Sequence, residues 1–550
     1  MTGRTTPRTS EAIWRTIRMA SAARRVLGWG PATLDLHGLF VGPEGDLPQF
    51  YESGQGCEVI DSTGRRYIDW YGCGGCVILG HCRPEVDGAV AEQLRRGILI
   101  PSLHPLELEV AETICEIVPC AETVAFGKNG SDALTAAVRL ARTVTGRDIV
   151  LQHGFHGFQD WFAGSDPAVS GIPRERSLVY SFPYNDLPAL ERLCKEFRGR
   201  VAAIVMEPTK HELPARGYLE GVRTIADRER ALLVFDEVVT ALRLGPGGAQ
   251  SLFGVVPDLA CLGKGLGNGM PLSAIVGRRE LMTGFPRVGV GMTFQGEALS
   301  LAAARATLTI VRREPVAERL AFAGETVRRE FDGECRRLGL PASVTGHPAR
   351  MTIRFQDVGP FPSAYLLGLF ITSCLQHGVV TSGTLLPSFA HDDSALERTC
   401  GAIRKSLRTV AETIRIGVFR GWVLPADPNV EGYFDGVERV RGELEVSGWL
   451  LIEKRPAETI EFESTDGTRV AAHAVVRPDV AAAVDGGVAA RNAGFRARLA
   501  LPEAAGSPAR WVLHARSGKW ATRSILEHRI EATIEKRPPV RIRTGHIAEV

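Results

Sequence analysis

The sequence predicts an α/β protein: a large domain on a mixed, mostly parallel sheet, a small α+β domain, and an all-β, sandwich-like domain at the carboxyl end. Three observations predict it. Apolar runs of strand length at 149–152, 202–206 and 232–235 alternate with helical patterns, as parallel strands joined by crossover helices do. From about 310 to 420, helices alternate with shorter strands at 350–355 and 378–381. Past Pro425-Ala-Asp-Pro428, which reads as a linker, 444–449, 459–463, 470–476 and 495–499 are short strands spaced by Gly, Asp and Pro turns, the pattern of a β-sandwich. The 550 residues exceed one ordinary domain. They divide into an N-terminal helical arm (1–45), a small domain of 46–100 with 311–424, a large domain of 101–310 and a terminal β domain of 430–550.

Taken in order, the first 30 residues set six arginines against Glu11 alone, a composition that also suits a transit peptide. Ile13, Ile17 and Val26 in that basic setting predict instead a helix packed on the surface or on a partner subunit. Residues 58–67 read as two β-prone runs about a turn on Asp61 to Gly64, a hairpin. Pro84 starts a helix over 84–96, and apolar spacing at Leu108, Ala111, Ile114, Ile117 and Val118 predicts another over 105–118. A short buried strand at 124–126 leads through a glycine turn into a helix over 132–145. The central strands end in polar residues, His153, Glu207, Asp236 and Glu237, and open parallel sheets bind ligands at those carboxyl ends.

Composition narrows the function. With 44% hydrophobic and 23% charged residues and a net charge of +2, the chain has no electrostatic footprint for nucleic acid, so a small-molecule partner is expected. No run of 18 or more apolar residues occurs, which predicts no transmembrane helix. Eleven scattered cysteines without a secretory signal fit reduced thiols and a cytoplasmic location. Cys73-Gly-Gly-Cys76, with Cys82 after it, is the one cluster that raises a metal or redox site. A zinc or iron–sulfur site needs four placed ligands and a second pair is missing, so no metal is predicted.

Three features in fixed order carry chemistry. Gly130-Ser131-Asp132 lies at a strand-to-helix turn, where free N–H groups and the helix dipole can hold a phosphate; the same residues also cap ordinary helices. Asp236 ends a buried strand, where a carboxylate can keep a pyridinium protonated or cap the next helix. Lys264 stands among glycines that let backbone and ligand approach closely, as a nucleophilic lysine requires; a solvated loop lysine is the plainer reading. The spacing excludes a P-loop.

Together with Tyr67-Ile-Asp69, Leu79-Gly-His81, Arg139-Leu-Ala-Arg142, Phe155-His-Gly157, Glu207-Pro208 and Phe235-Asp-Glu-Val-Val-Thr240, these features make residues from about 45 to 415 resemble the class III aminotransferases of pyridoxal 5'-phosphate (PLP) fold type I. The similar branch is that of glutamate-1-semialdehyde aminomutase. The resemblance implies PLP as cofactor, Lys264 as its Schiff-base lysine and proton shuttle, and Asp236 as partner of the ring nitrogen. It implies Gly130 and Ser131 as the phosphate cradle, and Phe155 and Val238 on the two faces of the ring. Thr293 then reaches the phosphate of a neighbouring subunit in a homodimer with shared active sites. Glu207 is implied near cofactor or substrate, and Arg243 as substrate-facing or structural, a buried salt bridge being the other reading for each. His156 in a glycine turn is read as a supporting residue satisfied by backbone.

The implied reaction passes an amino group between a small-molecule amino donor and a carbonyl acceptor by a Lys264 Schiff-base ping-pong mechanism. The acceptor branch is suggested by Gln159-Asp-Trp161 and 247–254, similar to aminomutase-like aminotransferases associated with surface polysaccharides or sugar nucleotides. The alternatives are the aminomutase itself and a non-catalytic PLP-fold scaffold for the β domain, which resembles one appended to some glycosyltransferases. Segment 381–391 lacks the acid of the aminomutase branch, and 208–214 departs from its glycine–asparagine pattern.

Overall fold

The computed structural model describes residues 50–163, 178–359 and 361–416, and a series of strands between 430 and 542. The expected N-terminal arm and the 425–428 linker lie outside the described residues.

Strands β1 (Tyr51–Gln55), β2 (Glu58–Asp61) and β3 (Arg66–Asp69) form a meander. The expected hairpin is closed by one side chain. Asp61 accepts hydrogen bonds from the Thr63 and Arg65 N–H groups (2.8 and 3.1 Å) and from the Tyr67 hydroxyl (2.9 Å). Helices α1 (Pro84–Leu94) and α2 (Pro105–Ile117) follow, each with proline in its first turn, where the missing N–H costs nothing. Then come β4 (Thr123–Gly127) and α3 (Gly130–Thr145). Helix α3 begins two residues earlier than the sequence suggests, because Asn129 and Asp132 form a reciprocal capping box; it ends at Gly146 in the left-handed conformation.

The central sheet takes β5 (Ile149–His153), β6 (Val179–Ser181), β7 (Val201–Met206), β8 (Leu232–Glu237), β9 (Leu259–Leu262) and β10 (Ser273–Gly277) in the order β4-β10-β9-β8-β7-β5-β6. Among the described strands of this sheet, β10 pairs antiparallel with both β4 and β9, and the remaining pairs are parallel. Every residue of β7 and β8 is buried, as continuous apolar runs covered on both faces must be. Alternation sorts their side chains. Ala203, Val205 and Val234 pack with α3, while Ile204, Met206, Leu233 and Phe235 join the core under α2, α5 (Tyr218–Glu229) and α6 (Ala298–Arg313); α4 (Leu187–Glu196) lies between β6 and β7.

A second core gathers Trp70, Phe331, Phe355, Tyr365 and Phe370. Its elements are α7 (Val316–Leu338), the sheet β11 (Ala342–His347) and β12 (Arg350–Phe355), α8 (Ser363–Gln376), and α9 (Asp393–Ile416). Strand β13 (Val379–Val380) adds in parallel to β3, and β14 (Thr384–Leu385) pairs with β12.

Among the described residues, ten further strands, β15 (Val430–Val440) to β24 (Val540–Ile542), form a six-stranded and a four-stranded sheet, all pairs antiparallel. The strand expected at 470–476 is two. Arg469–Ala471 pairs in the smaller sheet and His473–Val475 in the larger, so the chain changes sheet at Ala472. Ile460, Phe462, Ala497 and Leu499 are buried at alternate positions, the period-2 pattern of an apolar inner face. Among the described residues no helix is long and apolar enough to cross a membrane.

Candidate active site

Lys264 follows β9 and opens a short 3-10 turn with its backbone at φ +43°, a left-handed conformation unusual for a residue with a side chain. Its glycine neighbours permit the packing around it. A Cβ on Gly263 would lie 3.3 Å from the Val238 side chain, and one on Gly265 would lie 3.4 Å from Ile78. Burial lowers the Lys264 ammonium from its ordinary value, and Arg350 adds to this; Cys76, Asp236 and Glu207 oppose it.

Of the two acids ending β8, alternation turns one into the site and one into the core. Glu237 is fully buried, accepts from the Ala249 and Gln250 N–H groups, the Gln250 amide and the Thr240 hydroxyl, and is pushed up by burial: it anchors the following turn. Asp236 instead lies 2.8 Å from His156 Nδ1 through Oδ2, while its Oδ1 accepts from the Val238 N–H at 3.1 Å. His156 is therefore held by a carboxylate, a correction to the expected backbone contact. The reason is topological: the 153–157 turn crosses the end of β8. Its ring lies parallel to Trp161 at 6.4 Å, and its buried Nε2 has no partner among the described residues.

Two segments converge on Val238, and a third packs on one of them. A Cβ on Gly130, at the start of α3, would lie 3.0 Å from its Cγ1, and Gly263 approaches the same methyl. Gly157, at φ +105°, presses on the helix start: a Cβ there would fall 2.1 Å from Ser131 Oγ. Lys264, Asp236, Val238, Gly130 and Ser131 are thus brought together. Phe155 joins through its backbone, its N–H donating to Glu207 Oε1 at 3.0 Å; its ring is 61% exposed and meets Phe162 edge-on. Thr293 stands on an exposed segment, and no contact of its side chain with these residues is seen among the described residues.

Glu207, just past β7, makes the buried ion pair that sequence alone left open. Arg350 Nη2 lies 2.6 Å from Oε2 and Lys210 Nζ 3.1 Å from Oε1. Burial alone would raise this carboxyl, but Arg350 and Lys210 outweigh it and hold it at about 2. Arg243 makes no ion pair among the described residues. Its guanidinium is buried and donates to the carbonyls of Ala349, Pro387 and Gly75, and burial lowers it to about 9. Arg350, Lys210 and Gly74 were not anticipated as site residues. A Cβ on Gly74 would lie 3.8 Å from Lys264 Nζ and 3.5 Å from the Tyr71 hydroxyl. No local pattern marks Arg350, whose partner is 143 residues away. Among the described residues no three His, Cys, Asp or Glu side chains are grouped to hold a metal.

The set suits an aromatic, phosphorylated aldehyde: a desolvated amine, a carboxylate backed by an imidazole with one unsatisfied nitrogen, and a helix N-terminus closely packed at Gly130.

Comparison with known proteins agrees. The model of the family "Aminotransferase class-III" matches residues 41–405. The chain is 35% identical over 403 residues to a glutamate-1-semialdehyde 2,1-aminomutase of Roseiflexus castenholzii, covering 68% of this chain and 93% of that one. It is 32% identical over 383 residues to a 3-aminobutyryl-CoA aminotransferase of Cloacimonas acidaminovorans, with 67% and 91% covered. Among solved structures, the FumI protein of Sphingopyxis sp. MTA144, in its PLP internal aldimine form, superposes with a TM-score of 0.67 at 28% identity over 73% of this chain and 97% of that one.

Proposed function

Because the chain belongs to the class-III aminotransferases, enzymes whose cofactor is PLP, we propose that it moves an amino group from a small-molecule donor to a carbonyl acceptor, with Lys264 as the reactive lysine. When bound, the cofactor supplies an aldehyde for the amine and an electron-withdrawing ring for the charge left at the substrate carbon. Lys264, its ammonium destabilised by burial, would be the amine that holds the cofactor and the base that moves the proton at the substrate carbon. Asp236 would keep the ring nitrogen protonated, and His156 fixes the Asp236 carboxylate. Gly130, Ser131 and the N–H groups opening α3 hold the phosphate. Val238 and Phe155 would help hold the ring, and Glu207, fixed by Arg350, positions the Phe155 backbone.

Thr293 completes the phosphate site of a second copy. The support is its surroundings: the Ala298 N–H bonds the Ile98 carbonyl at 2.8 Å, joining the Thr293 segment to one that exposes Ile98, Leu99, Ile100, Leu103 and Leu108. An apolar run of that size on a monomer marks an interface.

The observation that carries the reading is the convergence of Lys264, Asp236 and the start of α3 around Val238. The mutase is the second reading, favoured by the relative named glutamate-1-semialdehyde 2,1-aminomutase. To test both, the holoenzyme is followed spectroscopically with a panel of amino acids and amino sugars, beside Lys264→Ala. Conversion of the cofactor to its amine form by a donor, lost in the variant, supports transamination. Formation of 5-aminolevulinate from glutamate-1-semialdehyde with no added donor supports the mutase, and undiminished turnover by Lys264→Ala overturns both.

A further inference from the structure

The turn after β3 carries two thiols that the reaction above does not use. Gly72, Cys73, Gly74 and Gly75 take φ of +52°, +52°, +69° and +92°, a left-handed turn closed by the Cys76 N–H on the Gly72 carbonyl at 2.8 Å and the Gly74 N–H on the Tyr71 carbonyl at 3.0 Å. A turn this tight keeps residues three apart within about 7 Å between Cα atoms, which is the reach of a disulfide. Cys73 is exposed, and Cys76 is half-buried within electrostatic range of both Lys264 and Arg243. The glycines between them form the wall against the reactive amine. A Cβ on Gly74 would lie 3.8 Å from Lys264 Nζ, and one on Gly75 would lie 3.5 Å from Arg243 Nη2. Among the described residues no third His, Cys, Asp or Glu side chain is grouped with them as a metal site would need.

We propose that Cys73 and Cys76 form a reversible dithiol–disulfide site, exchanging with low-molecular-weight disulfides such as oxidised glutathione, and that closing the bridge reshapes the wall over Lys264 and slows the reaction there. The exposed Cys73 thiolate attacks the small disulfide, forming a mixed disulfide and expelling one glutathione thiolate. Cys76 then attacks the Cys73 sulfur and expels the second. Two electrons pass to glutathione, and the two thiol protons end on the two glutathione molecules released. Cys73 as a whole is exposed, but its thiol is partly desolvated, with Asp69 and Cys76 nearby, which pushes it up to about 11, so only a small thiolate fraction is present at neutral pH.

The gating part rests on Lys264 being the reactive lysine; the bridge does not, so two readouts separate their failures. The holoenzyme is equilibrated in graded mixtures of reduced and oxidised glutathione, alkylated, and mapped by mass spectrometry, while its half-reaction with an amino donor is timed. The expected result is joint loss of alkylation at Cys73 and Cys76, a half-reaction slowed by about tenfold or more and restored by dithiothreitol. Cys73→Ser should react at the reduced wild-type rate at every mixture, and Cys82→Ser should respond as wild type does. Full alkylation of both thiols throughout, or a glutathione adduct resting on Cys73 alone, overturns the site. A bridge that forms without slowing the half-reaction overturns the gate.

Discussion

Glu207 shows how one side chain can be kept charged where burial would neutralise it. Its folded-state value lies near 2, below the ordinary 4.5, so the sign of the pH dependence follows. The contribution is whole above about 4.5 and is lost as pH falls toward 2. Urea midpoints of Glu207→Gln and the parent should therefore differ widely at pH 7 and draw together in acid. At pH 7 the variant should lose about 3–5 kcal/mol, since Arg350 is left buried without its carboxylate. A gap independent of pH would contradict the ion pair.

At the scale of elements, the site depends on how closely the 154–157 turn seats on the start of α3. Gly157→Ala places a methyl where Ser131 Oγ already sits, in a backbone conformation that disfavours alanine as well. PLP affinity in a fluorescence titration should fall by about 10–100-fold, 1.4 kcal/mol per decade, with the folding midpoint less affected. Sequence made the rest of this region legible to different degrees. Strands β5, β7 and β8 and helices α1 to α3 announced themselves by period and length, because each buries its own apolar pattern. Strand β6, only three residues long at the sheet edge, carries too short a pattern to read, and β10 is recognisable only once paired between β4 and β9. Lys264, Asp236 and Gly130 were visible because their chemistry needs particular neighbours in the chain. The His156–Asp236 and Glu207–Arg350 contacts span 80 and 143 residues and depend on tertiary approach, which no local pattern encodes.

For the whole molecule, the ion pair between Glu207 and Arg350 and the Arg243 bonds to Gly75, Ala349 and Pro387 fasten the second core's strands and loops to the central sheet beside Lys264. The apolar segment at 98–108, with Leu103 82% exposed, should be covered by another copy. Sedimentation should give twice the 59.5 kDa chain mass, and Leu103→Asp should shift it toward that of one chain and weaken cofactor binding with it. A monomer with full PLP affinity would rule out the shared phosphate site. The left-handed backbone at Lys264 has a consequence for the protein's design history: chemistry occupies a position that folding alone would assign to glycine. In calorimetry without cofactor, Lys264→Gly should outlast Lys264→Ala by about 1 kcal/mol, net of glycine's larger unfolded-state freedom. Of two proteins equally without the amine, the one carrying glycine would be the sturdier, because it alone meets that backbone shape without strain.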